Sequence, residues 1–336
     1  MQKYKKTLLK ASDNKKNVSS LDTLVHLRTN NNNPAAIEKK MSERAKSKYI
    51  TNSFILGLVD LDSDMKQSYW NTFHCNRNVF IENGKITTKY CKNRWCLVCA
   101  RIKTATIINH YLPVINQFID KQFVTLTVPN VRNEDLRTTI ELMQKQFTKI
   151  KDGRKLRGKV KGMRKLEVTY NPKRNTYHPH YHLIVDGEEI GNIILKEWLR
   201  LFPNAKRIAQ DIKKADDKSV LELLKYATKI ISHDTINKTR IVYLRALDNI
   251  LFALKRKRTF QCYGIKKLQL DDDFSISLEN RKNTVGFFEW EQEIANWISV
   301  DNYETLIDYT LSATTIELSS QIKESLIRPV TLLSET

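Results

Sequence analysis

The chain has 336 residues and carries a formal net charge of +20, with a sequence pI near 9.6. That length allows a real hydrophobic core and excludes a peptide or a small disulfide scaffold. A positive field of that size draws in a polyanion such as DNA or RNA. The charge is unevenly placed: beyond Leu270 there are thirteen acidic residues against four basic ones, so the rest of the chain holds about +29. Polyanion binding is therefore expected before residue 270, and an acidic C-terminal region (271–336) that does not touch it. No run of eighteen apolar residues occurs and the Lys-rich N-terminus has no apolar signal core, so no membrane contact and a cytoplasmic location are expected.

Residues 1–50 are polar, with many lysines and the run Asn30 to Asn33, and read as a basic flexible arm. Residues 51–118 read as a cysteine-rich module and a linking helix over Ile102 to Phe118. Four of the five cysteines fall between Cys75 and Cys99, a clustering that in a cytosolic protein favours metal over disulfides. The Cys96-x2-Cys99 knuckle with Cys91 and Cys75 can close a tetrahedral, structural zinc site, with His74 or His110 as the fallback ligand.

Residues 119–270 carry the clearest pattern. Phe123 to Val128 reads as a strand stopped by Pro129, and Glu134 to Lys151 as a helix with Leu136, Ile140, Leu142, Met143 and Phe147 at helical spacing and Asn133 as its cap. Met163 to Tyr170 and Tyr177 to Val185 read as a hairpin, Ile193 to Leu201 as a helix, Ala205 to Ile212 as a strand and Asp216 to Ile231 as a helix. The order β-α-β-β-α-β predicts an α+β fold of split βαβ, ferredoxin-like type: an antiparallel sheet with helices on one face and the other face free for chemistry.

His178-Pro179-His180-Tyr181-His182 puts three imidazoles on one face of its strand, because alternate residues point the same way. Folding the hairpin about a centre between Lys173 and Arg174 sets Glu167 opposite His180. Such a His/His/carboxylate set suits a divalent cation, Mg or Mn, able to polarise a phosphate oxygen. The third ligand is open: Glu167 has the face and the register, His178 the face alone. On the helix near residue 220, Glu222, Tyr226 and Lys229 share one face, a carboxylate, a phenol and an ammonium together. Two basic stretches are candidate DNA contacts. One runs from Lys151 to Lys165 and includes Arg154, Lys155, Arg157 and Arg164. The other is Lys255-Arg256-Lys257-Arg258, with Phe260 and Tyr263 after it to stack on unpaired bases.

Taken in order, Phe123 to Asn130, His178 to His182 and Glu222 to Lys229 resemble the three motifs of HUH endonucleases, and more closely those of plasmid rolling-circle replication initiator (Rep) proteins. The cysteine segment is similar too, with Arg94 between the cysteines; Leu97 stands where that pattern has Pro. The likeness covers about residues 70–270. It implies that His180 and His182 hold the metal, and that Tyr226 attacks the scissile phosphate to give a 5′-phosphotyrosine and a free 3′-OH. It further implies that Glu222 positions a water for the terminating step; on physical grounds Lys229, on the face of Tyr226, can stabilise the phenolate or the pentacovalent state. The implied partners are plasmid origin DNA, both as a hairpin-forming duplex and single-stranded, and a host polymerase. No phosphate-binding loop occurs, so a host helicase is expected as well. Alternatives are another HUH nickase, a relaxase or transposase, or a non-catalytic zinc-containing DNA-binding protein. The oligomeric state is not fixed by the sequence.

Overall fold

The computed structural model describes residues 34–82, 85–225, 232–233, 240–269 and 285–327. Its centre is a five-stranded, wholly antiparallel sheet. The strands are β3 (Lys121–Thr127), β4 (Gly162–Asn171), β5 (Thr176–Asp186), β6 (Asp211–Lys214) and β9 (Phe260–Tyr263), in the order β6-β3-β5-β4-β9. Helix α4 (Asn133–Asp152) connects β3 to β4, and α5 (Glu188–Leu201) connects β5 to β6.

Both helices lie on one face of that sheet. On α4, Leu136, Ile140, Met143, Phe147 and Ile150 recur at steps of three and four and pack on Leu126, Leu166, Tyr181 and Leu183. Glu134 and Asp135 in its first turn and Lys149 and Lys151 in its last complement the helix dipole. Asn133 is the first helical residue rather than the cap, which is Arg132, and Leu142 points to solvent. Helix α5 approaches closely because Gly191 has no side chain: a Cβ there would lie 2.6 Å from Ile212 Cδ1.

The opposite face is only half open, which corrects the expectation of a free face. Helices α3 (Leu97–Ile115) and α6 (Asp217–Leu224) cover one end of it, burying Ile107, Ile108, Leu112, Val220, Leu221 and Leu224 on Met163 and Ile184. Moving two residues at a time along β5 from Ile184, the same face passes through His182, His180 and His178 into the open half. The hairpin register pairs Glu167 with His180 and Asn171 with Thr176, leaving the turn Pro172 to Asn175, in which Asn175 takes φ +47°. Pro179 is tolerated inside β5 for a local reason. Tyr177 exchanges both backbone hydrogen bonds with Val131, so the odd residues of this segment turn their N–H toward β3. The β3 ladder ends at Thr127↔His180, so the N–H that Pro179 lacks has no ladder partner to lose.

The rest of the chain forms a second assembly that the fourfold division of the sequence does not anticipate. Helix α1 (Pro34–Val59) occupies much of the expected flexible arm, with Ile37, Met41, Ala45, Ile50, Phe54 and Leu58 buried. A four-stranded sheet, order β11-β10-β1-β2, joins β1 (Asn78–Glu82) and β2 (Lys85–Thr88) to β10 (Gly286–Glu291) and β11 (Asn296–Ser299) from the acidic region. Its core is Val79, Ile81, Phe288, Trp290 and Trp297 against the start of α1. The second half of α1 packs on α2 (Lys66–Phe73), α7 (Leu244–Ala253) and α8 (Ala313–Ile327), through Tyr69, Leu247, Leu251 and Ile322. Helix α7 also contributes Ala246 and Ile250 to the core under α4, so it joins the two assemblies. A two-stranded ladder, β7 (Ser232–His233) with β8 (Arg240–Ile241), precedes α7. Among the described residues no helix is long and apolar enough to cross a membrane.

Candidate functional site

On the open half of the central sheet, Glu167, His180 and His182 present one ligand atom each within 4.8 Å of one another. Glu167 Oε2 lies 3.6 Å from His180 Nε2 and 3.9 Å from His182 Nε2. A cation about 2.1 Å from each ligand atom needs them roughly 3.0–3.5 Å apart, so the two carboxylate–imidazole separations are within a few tenths of an ångström of that range. The other ring nitrogens are already engaged. His180 Nδ1 donates to the His178 carbonyl at 3.0 Å, which fixes the tautomer and leaves the lone pair on Nε2, and His182 Nδ1 is 3.2 Å from Thr125 Oγ1. Phe123 stacks on the His182 ring at 5.2 Å. The donor set therefore fits a divalent cation. His178 is not in this group: nearer the hairpin end of β5, its Nδ1 is 2.7 Å from Asn130 Oδ1.

Glu167 is buried together with Lys165, whose Nζ is 2.7 Å from Glu167 Oε1 and 3.3 Å from the Glu222 carbonyl oxygen. Sequence reading missed Lys165, Thr125 and Asn130. The last two belong to the Phe123 to Asn130 motif, and β3 pairing with β5 puts Thr125 beside His182. Lys165 was hidden in a basic stretch, where a run of charge reads as solvated surface.

Glu222 stands on α6, half-exposed, with Oε2 paired to Lys225 Nζ at 2.7 Å. Burial alone would raise its carboxyl, but the hydrogen bond and charge of Lys225, with the charge of Lys165, hold it below the usual carboxylate value. The helix expected through Ile231 ends at Leu224, and Lys225 is extended, with ψ +117°. Tyr226 and Lys229 lie outside the described residues, so the shared face of Glu222, Tyr226 and Lys229 is not among the observed relationships. The strand expected over Ala205 to Ile212 is a 3-10 turn at Arg207–Ala209 followed by β6.

The four cysteines converge at the start of α3. Cys75, Cys91, Cys96 and Cys99 bring their sulfurs within 4.8 Å of one another, with Cys75–Cys99 at 3.5 Å and Cys91–Cys99 at 3.7 Å. Four thiolates about 2.3 Å from a tetrahedral ion stand about 3.8 Å apart, so the spacing matches a metal centre and is far too long for a disulfide. Hydrogen bonds from Cys75, Cys96 and Cys99 hold the Cys91 thiol well below its ordinary value. From α1, Arg44 and Lys48 are buried beside this cluster. Burial lowers the Lys48 ammonium to about 8, opposed by the charge of Cys75, and Lys48 Nζ donates to the carbonyls of Phe73 and Cys75. Two buried cations suit a tetrathiolate centre, which with a divalent ion carries about two negative charges. Neither fallback ligand is in the cluster: His74 stacks on Trp70, and His110 Nδ1 is 2.5 Å from the Leu268 carbonyl.

Leu97, at the position where the pattern has Pro, is the first residue of α3, and its N–H donates to Thr51 Oγ1 at 3.2 Å. Arg94 Nη2 donates to the Lys257 carbonyl, tying the cysteine segment to the second basic run.

The basic residues divide by environment. Arg154, Lys155, Arg157, Arg256 and Arg258 are exposed and Lys255 is half-buried. Lys155 is paired with Glu197 at 2.6 Å, and Lys257 with Glu141 at 2.6 Å. Arg164 is corrected from surface to core: it lies over the rings of Tyr181 (4.2 Å) and Phe147 (4.6 Å), because its strand position faces α4. Phe260 and Tyr263 are corrected likewise. Both belong to β9, where Phe260 packs by Tyr111 and Tyr263 by Phe147, so neither is an open stacking platform.

Residues 85–312 match the Rep_1 family model, described as "Replication protein". Among curated relatives, a Protein rep of Staphylococcus aureus is 31% identical over 224 residues, 60% of this chain and 95% of the relative. A Protein rep of Bacillus amyloliquefaciens is 27% identical over 62% of this chain and 71% of the relative, and one of Streptococcus pneumoniae is 26% identical over 54% and 64%. No solved structure matches the chain. With over half its length inside the family model, the chain belongs to the Rep_1 family of replication proteins and is homologous to Rep proteins.

Proposed function

We propose that this chain initiates rolling-circle replication of a plasmid by nicking one strand of its origin with Tyr226, as an HUH endonuclease. The observation that carries the reading is the Glu167/His180/His182 set on the open half of the sheet, with the Nδ1 atoms of both histidines already engaged. The β-α-β-β-α-β order and the strand order β6-β3-β5-β4 support it, since they are those of the split βαβ core.

A divalent ion, Mg or Mn, held by Glu167, His180 and His182 would neutralise charge on the scissile phosphate. Tyr226 attacks the phosphorus, the 3′ oxygen leaves, and the protein stays linked to the 5′ phosphate while the free 3′-OH primes a host polymerase. Lys229 stabilises the phenolate or the pentacovalent state. A phenol with an ordinary pKa near ~10 is a poor nucleophile at neutral pH without such help. Glu222, held ionised by Lys225 and Lys165, accepts a proton from the water that ends the cycle. Exposed Arg154, Arg157, Arg256 and Arg258, with Lys155, Lys255 and Lys257, bind origin DNA, hairpin and single-stranded, in a salt-dependent way. A host helicase opens the duplex. Zinc at Cys75, Cys91, Cys96 and Cys99 is structural, and the reaction takes place in the cytoplasm.

The test is a nicking assay on supercoiled plasmid bearing the cognate origin, with Mn or Mg, comparing wild type with Tyr226→Phe and probing for protein on the 5′ end. A 5′ adduct with wild type alone supports the reading. Binding without cutting by both would sink it in favour of a non-catalytic zinc-containing DNA-binding protein.

A further inference from the structure

Lys165, buried against the metal-ligand carboxylate Glu167, has no role of its own in that reaction scheme. Both side chains are over nine-tenths buried, 7% and 8% exposed, and on the metal-ligand face Lys165 stands across the ladder from His182 as Glu167 does from His180. The ammonium makes two contacts that point in different directions. It holds Glu167 by Oε1, so that Oε2 is the oxygen turned toward the two Nε2 atoms. It also reaches the carbonyl oxygen of Glu222, in the last turn of α6, four residues before Tyr226. One side chain on β4 therefore touches both the carboxylate of the metal-ligand set and the end of the helix that leads to the nucleophile.

Resting on the reading of Glu167, His180 and His182 as a divalent-metal site, we propose that Lys165 is a positioning residue that couples this site to the tyrosine segment and keeps its metal affinity low. The two effects have one cause each. A carboxylate held by one oxygen has its other oxygen fixed in direction, and a carbonyl held at a helix end fixes where the chain leaves that helix. The fixed positive charge lies close to where a second cation must bind, in a buried setting where like charges repel more strongly than in water. Lys165 thus gives up binding strength for orientation. A lysine that merely completed the core would have no reason to move metal affinity and reaction rate in opposite directions.

The experiment measures Mn binding by electron paramagnetic resonance and, separately, the rate of 5′-adduct formation on a single-stranded origin oligonucleotide at saturating Mn. It compares full-length wild type, Lys165→Gln and Lys165→Arg. Lys165→Gln keeps a donor for the carboxylate and loses the charge. It is expected to bind Mn about tenfold more tightly and to form adduct about 10- to 100-fold more slowly. Lys165→Arg keeps the charge and is expected to hold the wild-type Mn affinity while slowing the reaction, so the inference remains testable if Lys165→Gln folds poorly. Mn affinity that is unchanged or weaker in Lys165→Gln, falling together with rate, overturns the inference and makes Lys165 a core residue only. If wild type itself binds no Mn that Glu167→Ala removes, the metal-site reading fails and takes the inference with it.

Discussion

Glu167 stands directly across the β4–β5 ladder from His180, with its Oε2 3.6 Å from the His180 Nε2. His178, one pleat further along the same face, turns its Nδ1 to Asn130 instead. Glu167→Ala is therefore expected to weaken Mn binding by about 10- to 100-fold, and His178→Ala to leave it nearly unchanged. Calorimetric titration of the two variants decides between them as the third ligand, and the reverse order would assign that place to His178.

The cysteine cluster should hold about one zinc per chain. Cys91→Ser is expected to purify with little zinc and to melt well below wild type, since metal binding free energy at such a centre is folding free energy of several kcal/mol. Plasma mass spectrometry and a melting curve read both effects. A full zinc complement in Cys91→Ser would remove Cys91 from the site.

Tyr69 donates its hydroxyl to the buried Asp248 carboxylate at 2.5 Å, pinning α2 to α7, and Ser63 donates to the same oxygen. Tyr69→Phe should destabilise the chain by roughly 1.5–3 kcal/mol, as for a hydrogen bond to a buried charge. Burial, with the hydrogen bond and charge of Asp248, pushes the Tyr69 phenol far above its usual value. A phenol whose pKa is raised by folding adds stability that is complete below its unfolded pKa and is lost as pH climbs toward the folded one. The gap between wild type and Tyr69→Phe in urea melts should accordingly be constant at neutral pH and shrink above about pH 10. A gap that widened there would contradict the bond.

Leu97→Pro restores the residue that the resemblance expects at the start of α3. Proline suits that first helical position in general, but here the lost N–H is the one that reaches Thr51, and Leu97 packs against the cluster that holds Phe54 and Trp95. The substitution should lower stability by about 1–2 kcal/mol, measured by thermal unfolding. In a Thr51→Val background the penalty should be smaller.

Much of the central layer was legible because its signals are local. The hairpin register followed from a four-residue turn and the two-residue repeat of strands, and α4 from its apolar spacing. Helix α1 was not legible: its buried positions include Ser47, Lys48, Thr51, Asn52 and Ser53, polar residues of which all but Ser47 find a partner far along the chain. Asn52 Nδ2 bonds Gln292 Oε1, and Ser53 Oγ lies 2.6 Å from Ser319 Oγ. Arg164 and Lys165 show the same limit from the other side, since a charged residue in a basic run reads as surface until the strand places one in the core and the other against a carboxylate.

The pairing of β1 with β10 also orders events in time during synthesis. Strand β1 is complete at Glu82, and the residues that pair with it begin at Gly286, about 200 positions later. At roughly 5–20 residues per second a ribosome takes on the order of 10–40 s to bridge that interval. Within it the whole β3-to-β9 layer is made, while one edge of β1 and the apolar face around Val79 and Ile81 wait for Phe288 and Trp290. The nascent chain thus has a built-in interval during which its amino-terminal portion carries an unpaired strand edge, and a premature stop before Gly286 would extend that interval indefinitely.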